Sequence, residues 1–411
     1  MGQYRIVRVD DYERFVGREV IERIQRKAQP LRGLRVVNVN STYYGGGVAQ
    51  LLSSMTLLMS SLGISVEWRA IHGPPDFFNV TKKMHNGLQG GKIAISEAER
   101  RLYEEVVYEN AMINPLDQDM IIIHDPQPLP MINHYRKKCP WVWRCHIDLS
   151  QPDRELWSYL APMVEKYDGV ILSTREYRQE INTPQMIFMP AIDPFSLTNR
   201  ELSQEEADRL LHDYHIPTDL PLVVQVSRFD RWKDQEGVMA AFKLARKEVD
   251  CTLVLLGNVA TDDPEGESVY QSLLGSREER IIILNHEDAL LVNALQRRAD
   301  VVLQKSLREG FGLTVAEAMW KGTPVIGGNV GGIRYQIDNG ENGFLVSSVA
   351  EAAGRIVALL QDRELREKLG QKARETVRGQ FLLTRLLEQY LGLFGSFEPV
   401  FRLNDTMRDY R

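Results

Sequence analysis

The hydrophobic residues of the chain follow two alternating patterns. Short runs rich in valine and isoleucine, such as RVVNVN at 35–40 and MIIIHD at 120–125, alternate with longer stretches in which apolar residues recur every three or four positions. The short runs predict buried strands of parallel sheets, and the longer stretches predict amphipathic helices. Their alternation over most of the chain predicts an α/β fold built from doubly wound parallel sheets.

The predicted elements form two series. Strands of the first series are predicted at 35–40, 65–71, 120–125, 141–148, 169–174 and 186–190, and strands of the second at 221–227, 251–257, 280–285, 300–304 and 323–328. Helices are predicted at 46–63 and 154–167, and then at 235–249, 289–299 and 314–321. The segment PAIDPFSLTNRELS between the series predicts a linker, because Pro190 and Pro194 interrupt regular structure.

The length of 411 residues exceeds what one hydrophobic core usually serves, so we expect two domains. The predicted boundaries are 1–193 for the first Rossmann-like domain and 194–381 for the second. Residues 382–411 are predicted to form a helix that packs back on the first domain, followed by a loose tail. A deep crevice between the two domains is the first place to expect a site.

Composition narrows the possible partners. The net charge is −6 and no basic stripe stands out, which argues against nucleic acid. Three scattered cysteines suggest neither a disulfide framework nor a zinc site. No signal-peptide core or run of about 18 apolar residues occurs, and Ile6 stands where a myristoylation signal needs Ser or Thr. We therefore expect a cytoplasmic protein without a membrane partner.

Ligands of open α/β sheets lie beyond the carboxyl ends of the strands, so the residues that follow each strand are the first candidates for a binding site. After the first strand, Gly45, Gly46 and Gly47 open a helix whose first amides could bind an anion, although a glycine run alone also fits a flexible loop. His124 and His146 follow two further strands, with Arg144 and Asp148 close by in sequence. Two histidines at neighbouring strand ends favour a polar binding site over a purely structural role.

In the second half, Arg228 follows a strand and Lys233 comes five residues later. A guanidinium and an ammonium at the start of a helix suit a diphosphate. A solvated charged loop is the alternative, since Asp230 and Asp234 could pair with the same cations.

The stretch REGFGLTVAEAM at 308–319 contains Glu309 and Glu317 on either side of a glycine-containing turn. Gly310 and Gly312 allow a tight turn that exposes the amides of residues 312–315 as an anion site. Glu317 also fits a capping box with Thr314, which needs no ligand. Two carboxylates flanking an anion site make sense if sugar hydroxyls lie on both sides of phosphates, as in a nucleoside diphosphate sugar.

These motifs resemble the signature of the family 4 retaining glycosyltransferases, which have the GT-B architecture of two Rossmann-like domains facing a deep crevice. The spacing of Glu309 and Glu317, the Arg228 and Lys233 pair and the glycine-rich first loop carry the resemblance. The segments HDPQP, WRCHIDLS and REGFGLTVAEAMWKGTPVIGGNVGGIRYQI are similar to those of trehalose glycosyltransferring synthases and the related retaining trehalose phosphorylases.

The resemblance implies a role for each matching residue. Glu317 would hold the ribose hydroxyls, and Glu309 the hydroxyls of the donor glucose. His124 would be the active-site histidine beside the donor sugar, with Arg144, His146 and Asp148 as acceptor-side candidates. The diphosphate would be bound by Arg228, Lys233 and the backbone of Gly46, Gly47, Gly310, Phe311, Gly312, Leu313 and Thr314. The nucleobase would lie near GNVATDD and LNHED.

The resemblance implies transfer of glucose from UDP- or ADP-glucose to free glucose, forming α,α-trehalose reversibly. No obligatory cofactor or metal is expected, and free Mg²⁺ could help phosphate to depart. The alternatives are a retaining trehalose phosphorylase, another hexosyltransferase, a nucleotide-sugar epimerase and a non-catalytic sugar-nucleotide sensor. The sequence is compatible with a homodimer but does not determine the oligomeric state. Two residues depart from the family pattern, namely Asp234 in place of glycine and Arg231 in place of proline.

Overall fold

The computed structural model describes residues 6–44, 46–259, 265–397 and 401. The chain divides into two compact units, each with its own sheet and core. The N-terminal unit comprises Met1–Pro190 and Leu383–Arg411, and the C-terminal unit comprises Ala191–Leu382. The last part of the chain thus belongs to the same unit as its beginning.

The strands and helices are numbered here in chain order. The strands are β1 Arg35–Asn40, β2 Ser65–Ala70, β3 Met120–His124, β4 Trp141–Arg144, β5 Gly169–Leu172, β6 Gln185–Ile187, β7 Leu222–Val226, β8 Thr252–Gly257, β9 Ile281–Asn285, β10 Val301–Gln304, β11 Val325–Gly328 and β12 Phe344–Val346. The helices are α1 Glu13–Val16, α2 Arg18–Ala28, α3 Gly46–Ser61, α4 Pro75–Leu88, α5 Glu97–Ile113, α6 Arg154–Val164, α7 Gln204–Asp213, α8 Gln235–Ala245, α9 Gly266–Gly275, α10 Ala289–Arg298, α11 Leu313–Trp320, α12 Val349–Gln361, α13 Arg363–Gln380 and α14 Leu383–Ser396.

Each unit is built on one six-stranded parallel sheet, which confirms the predicted fold class. The strand order is β2-β1-β3-β4-β5-β6 in the N-terminal unit and β12-β11-β10-β7-β8-β9 in the C-terminal unit. The central strands are buried along their whole length, as expected when helices cover both faces of a sheet. In each unit the loops that follow these strands lie at one edge of the sheet.

The N-terminal core packs on the face of its sheet that carries Trp141 and Trp143. The opposite face of β3 and β4 carries polar side chains at its carboxyl end, His124 and Arg144, which are paired in register. Side chains alternate between the faces of a strand, so this polar pair lies away from the tryptophans. The polar end of this face is where the first group of predicted site residues lies.

Residues 191–203 of the segment predicted as a linker belong to the C-terminal unit and pack within it. Asn199 is fully buried, and its side-chain amide donates to the carbonyl of Asp193 at 3.1 Å. Asn293 of α10 donates from its amide to the carbonyls of Leu197 and Arg200, both at 2.8 Å. The segment, which lies entirely within the described residues, has no helix or strand of its own, and the division between the two units falls at its start, between Pro190 and Ala191.

Candidate functional site

Two neighbouring loops of the C-terminal unit carry the predicted diphosphate and sugar ligands. β7 and β10 are adjacent in the sheet, so the loops that follow them meet at its carboxyl edge. The amide of Leu307 donates to the carbonyl of Trp232 at 2.8 Å and joins the two loops directly. Arg228, half-buried, lies at the start of the β7 loop, where its carbonyl accepts from the Gln235 side chain at 2.8 Å.

Lys233 and Glu309 form an ion pair across these loops. The Lys233 Nζ to Glu309 Oε2 distance is 2.6 Å, and the Ser306 hydroxyl donates to the same oxygen at 3.0 Å. The side chains are only 18% and 10% exposed, which makes the contact stronger than a surface ion pair. The structure therefore brings together the cation predicted for the diphosphate and the carboxylate predicted for the donor sugar.

Asp234 occupies a position that needs an unusual backbone conformation. Its φ of 54° lies in the left-handed region, which glycine adopts freely and aspartate tolerates better than most residues. Its side chain caps α8 through the amide of Gly237 and forms a close ion pair with Lys305. The carboxylate is thus neutralised by Lys305, which explains how aspartate can stand where the family pattern has glycine.

Arg231, the second departure from the family pattern, begins the short 3-10 turn Arg231–Lys233. The first position of such a turn is one that proline suits, because its φ is already set and its amide needs no partner. Arg231 instead places its guanidinium over the ring of Trp232, 4.9 Å from the ring centroid. The substitution therefore keeps the turn and adds a cation–π contact.

The Asp234–Lys305 pair predicts strong coupling in a double-mutant cycle. Lys305→Met leaves a largely buried carboxylate without its cation, which should lower the free energy of unfolding by about 3 kcal/mol. Adding Asp234→Gly should restore most of that loss, because glycine accepts the left-handed backbone and removes the charge. Thermal and chemical unfolding of the two single variants and the double variant measures the coupling, and strictly additive effects would contradict it.

The anion loop, defined here as residues 310–314, leads directly into α11. Gly312 precedes the helix with a φ of 84°, and α11 begins at Leu313. The first amides of a helix have no partner within it, so those of Leu313 and Thr314 can meet an anion. Because Gly312 and not Thr314 is the N-cap residue, the capping box that would have explained Glu317 without a ligand does not form.

Two residues that we did not predict hold the anion loop in shape. The side-chain amide of Gln336 donates to the carbonyls of Phe311 and Gly312 at 2.6 and 3.2 Å. The amide of Gly332 donates to the carbonyl of Glu309 at 3.1 Å, and a Cβ at this glycine would lie 2.3 Å from the Cα of Phe311. These hydrogen bonds to the carbonyls of Glu309, Phe311 and Gly312 fix the backbone of the anion loop next to the beginning of α11.

Glu317 is buried one turn into α11, close to a lysine that the sequence also did not single out. The Lys321 Nζ donates to Asn199 Oδ1 and Gln296 Oε1, both at 2.9 Å, and to the Glu317 carbonyl at 3.1 Å. Burial lowers the pKa of Lys321 to about 7, opposed mainly by the negative charge of Glu317. Three acceptors around one nitrogen match the three donors of an ammonium, so Lys321 anchors the helix segment that carries Glu317.

The glycine-rich turn of the N-terminal unit lies at the carboxyl end of β1. Gly46, with a φ of 72°, begins α3, and Gly47 is the next residue. Gly45 lies outside the described residues. Part of the segment predicted beside the nucleobase, residues 260–263, also lies outside them, while the amide of Val259 contacts the Asn285 side chain at 3.3 Å.

His124 and His146 meet at the carboxyl edge of the N-terminal sheet. Nδ1 of His124 lies 3.0 Å from Nε2 of His146, and Nε2 of His124 lies 3.0 Å from Oδ1 of Asn38. The two rings are nearly parallel, with centroids 5.3 Å apart. Burial and the charge of Arg144 lower the pKa of His124 to about 3 and that of His146 well below its usual value, so both are neutral at pH 7.

The remaining predicted residues of this unit are also buried. Arg144 is fully buried, and its Nη2 contacts Ser173 Oγ at 3.5 Å while Nε and Nη1 have no partner in the part of the chain that the structure describes. Its pKa is lowered by burial and raised in part by Tyr390 of α14. Asp148 is buried and accepts a hydrogen bond from the Ser150 amide at 2.9 Å. The structure thus groups Arg144 with the two histidines and places Asp148 in the following loop.

The pKa of His124 predicts a pH dependence of stability. An unfolded chain protonates this histidine below about pH 6.5, whereas the folded chain keeps it neutral until about pH 3. The free energy of unfolding should therefore fall as the pH falls, by about 2 kcal/mol from this residue between pH 6.5 and 5. His124→Gln should flatten this slope in unfolding experiments, and exposed His212→Gln serves as the control. An unchanged slope in His124→Gln would contradict the assignment.

Two further properties concern the described residues as a whole. No helix among them is both long and apolar enough to cross a membrane. Within the same residues, no group of three or more His, Cys, Asp or Glu side chains is placed to hold a metal ion.

The two six-stranded parallel sheets form the GT-B fold, and comparisons with known proteins place the chain among the glycosyltransferases. Residues 38–179 match the model of the trehalose synthase N-terminal domain, and residues 207–376 match that of group 1 glycosyl transferases. A solved UDP-forming α,α-trehalose-phosphate synthase from Burkholderia xenovorans shares the fold, with a TM-score of 0.68 and 16% identity over 87% of this chain and 98% of that chain.

Curated relatives define the family more closely. The trehalose synthase of Pyrococcus horikoshii is 44% identical over 95% of this chain and 96% of its own length. A trehalose phosphorylase from Pleurotus pulmonarius is 25% identical over 90% of this chain but only 58% of its own length. The chain belongs to the trehalose synthase family of glycosyltransferases, and the phosphorylases are distant relatives.

Proposed function

We propose that this glycosyltransferase transfers glucose from a nucleoside diphosphate glucose, UDP- or ADP-glucose, to free glucose and forms α,α-trehalose reversibly. The observation that carries the proposal is the Lys233–Glu309 contact at the start of α11. A cation for phosphate, a carboxylate for sugar hydroxyls and free helix amides lie together there, which fits a sugar attached to a diphosphate. The trehalose synthases among the relatives support the product.

In this proposal, each binding residue contacts a defined part of the substrates. Lys233 and Arg228 neutralise the diphosphate together with the amides of the anion loop. Glu309 accepts hydrogen bonds from donor-glucose hydroxyls once Lys233 shares its charge with the phosphates. Glu317, held next to Lys321, accepts from the ribose hydroxyls. In the N-terminal unit, the first amides of α3 at Gly46 and Gly47 form a second anion site, and the Arg144–His146 region takes the acceptor glucose.

The proposed chemistry proceeds with retention at the anomeric carbon. The anomeric hydroxyl of the acceptor forms a bond to C1 of the donor glucose on the face from which the diphosphate departs. The bond between C1 and the phosphate oxygen breaks, and the acceptor proton moves to that phosphate oxygen. Lys233 and Arg228 stabilise the negative charge that develops on the leaving group, so no carboxylate nucleophile is needed.

A donor panel tests the function and separates it from phosphorolysis. Glucose is incubated with UDP-, ADP- and GDP-glucose, and trehalose is quantified; trehalose is then incubated with each nucleoside diphosphate, or with inorganic phosphate alone. We expect trehalose from at least one nucleotide glucose and release of nucleotide glucose in the reverse direction. Glucose 1-phosphate formed from trehalose and phosphate, without any nucleotide-dependent reaction, would show a phosphorylase instead.

A further inference from the structure

His124 has no ring nitrogen left for a substrate. Its side chain is buried, and its two nitrogens are occupied by Asn38 and His146 at 3.0 Å each. His146 is half-buried, and its Nδ1 has no hydrogen-bond partner within the described ranges. Of the two histidines, His146 is therefore the one that can accept or donate a further hydrogen bond.

The order of atoms along Asn38, His124 and His146 determines where the protons lie. The Asn38 oxygen can only accept, so Nε2 of His124 must carry its hydrogen. A neutral His124 then presents a lone pair at Nδ1, so Nε2 of His146 must carry the hydrogen that fills the second contact. This leaves Nδ1 of His146 as a bare acceptor.

The backbone that carries His146 is also held in position. Its backbone amide donates to Oδ1 of Asp125 at 2.7 Å, and Asp125 itself has a φ of 61°, in the left-handed region. The Asp125 amide donates to the Arg144 carbonyl, and the indole of Trp143 donates to the Asp125 carbonyl, both at 2.9 Å. Such a conformation persists only where the surroundings hold it, as is common at functional sites.

We propose that Asn38 and His124 are positioning residues that hold His146 in the Nε2–H tautomer, so that its Nδ1 accepts a hydrogen bond from a sugar hydroxyl. This role rests on the proposed function. A neutral acceptor suits the reaction, because a hydroxyl donates to it while no positive charge is added near an anomeric carbon that itself becomes positive. The acceptor's proton still leaves on the phosphate oxygen, so His146 orients the hydroxyl and takes no proton.

The tautomer can be observed directly by two-bond ¹⁵N–¹H correlation spectra of the full-length protein labelled with ¹⁵N-histidine. Spectra of His124→Gln and His146→Gln assign the signals. We expect His146 to be neutral at pH 7 with its proton on Nε2, and to remain so at pH 5. A proton on Nδ1 of His146, which would follow if the Asn38 amide faced His124 with its nitrogen, or a cationic ring at pH 7, would overturn the proposal.

Substitutions at Asn38 test the positioning role by a second readout. Asn38→Leu removes the acceptor and should give His146 mixed tautomers and about a tenfold lower kcat/KM for trehalose formation. Asn38→Asp places a carboxylate beside His124 and favours its cationic form, whose Nδ1–H then donates to His146, so the His146 proton should move to Nδ1 and the activity should fall. Exposed Asn133→Leu in the same unit is the control. Equal activity of Asn38→Leu and the parent would overturn the positioning role.

The two readouts separate this inference from the proposed function. If no trehalose forms with any donor while His146 carries its proton on Nε2, the proposed function fails and the tautomer assignment stands. If trehalose forms while the proton lies on Nδ1, the positioning chain is wrong and the proposed function stands.

Discussion

Lys233→Met should lower kcat for trehalose formation by about 100-fold or more. Lys233 is held 2.6 Å from Glu309, the carboxylate proposed to bind the donor sugar. In the proposed reaction its contact with the leaving diphosphate would strengthen as the bond to C1 breaks, and contacts made in the transition state affect kcat. Initial rates at saturating nucleotide glucose measure the effect.

Two variants make this result specific. Lys233→Arg keeps the charge and should recover part of the activity, although its geometry at the phosphate differs. Lys243→Met breaks an exposed ion pair of the same unit, Lys243 to Glu278 at 2.7 Å, and should leave the rate unchanged. Thermal unfolding checks that Lys233→Met still folds with Glu309 unpaired. A folded Lys233→Met enzyme with the parent kcat would remove Lys233 from the mechanism.

Glu317→Ala should raise the KM for the nucleotide glucose by about 10- to 100-fold. A hydrogen bond to a charged group contributes about 1.5–3 kcal/mol, and the ribose diol would lose its acceptor. The effect should fall mainly on KM, because in the proposed complex the ribose would lie away from the reacting carbon and be bound equally in the ground and transition states. Steady-state kinetics with varied nucleotide glucose and fixed glucose measures the split.

Two control variants test whether the effect of Glu317→Ala comes from the lost carboxylate or from disturbed packing around this buried residue. Glu317→Gln keeps the volume of the side chain and should show a smaller rise in KM. Exposed Glu367→Gln in α13 removes one member of a surface pair with Arg363 and should not change KM. An unchanged KM for every nucleotide glucose would show that Glu317 does not bind ribose.

The central strands, such as β3 and β7, could be predicted because they are buried along their whole length and consist mainly of continuous apolar residues. β12 was missed because only three residues form it. We placed no helix between 72 and 119, yet α4 and α5 lie there; α5 is charged over much of its surface and buries a narrow face that includes Tyr103 and Val107. Its apolar signal is therefore weak compared with its charge.

The end of the chain shows how a distant contact changes an element. Helix α13 ends at Gln380, and α14 begins at Leu383, close to the predicted start of the last helix at 382. Between them, the Phe381 carbonyl accepts from the amide of Ile192 at 2.8 Å, and Leu382 forms a bridge with Ile192. The partner lies about 190 residues away in sequence, so no local pattern contains it.

In the candidate site, too, residues close together in sequence could be predicted, whereas contacts between distant residues could not. Residues within one motif, such as Glu309 and Glu317 around the anion loop, could be found because their spacing lies within a single loop and helix. The contacts of Lys305 with Asp234, of Lys321 with Gln296 and of Asn38 with His124 join residues that are distant in sequence. Such pairs depend on which loops the strand order brings together, and that order was not part of the prediction.

The most direct test of the central claim is the structure of the product made from labelled glucose. Glucose carrying ¹³C at C1 is incubated with unlabelled nucleotide glucose, and the product is analysed by NMR. In the initial product, before reversal redistributes the label, we predict α,α-trehalose labelled at one anomeric carbon only, because the acceptor's own anomeric oxygen forms the new bond. A β linkage, a bond to another hydroxyl, or the absence of a labelled disaccharide with every donor would contradict the account.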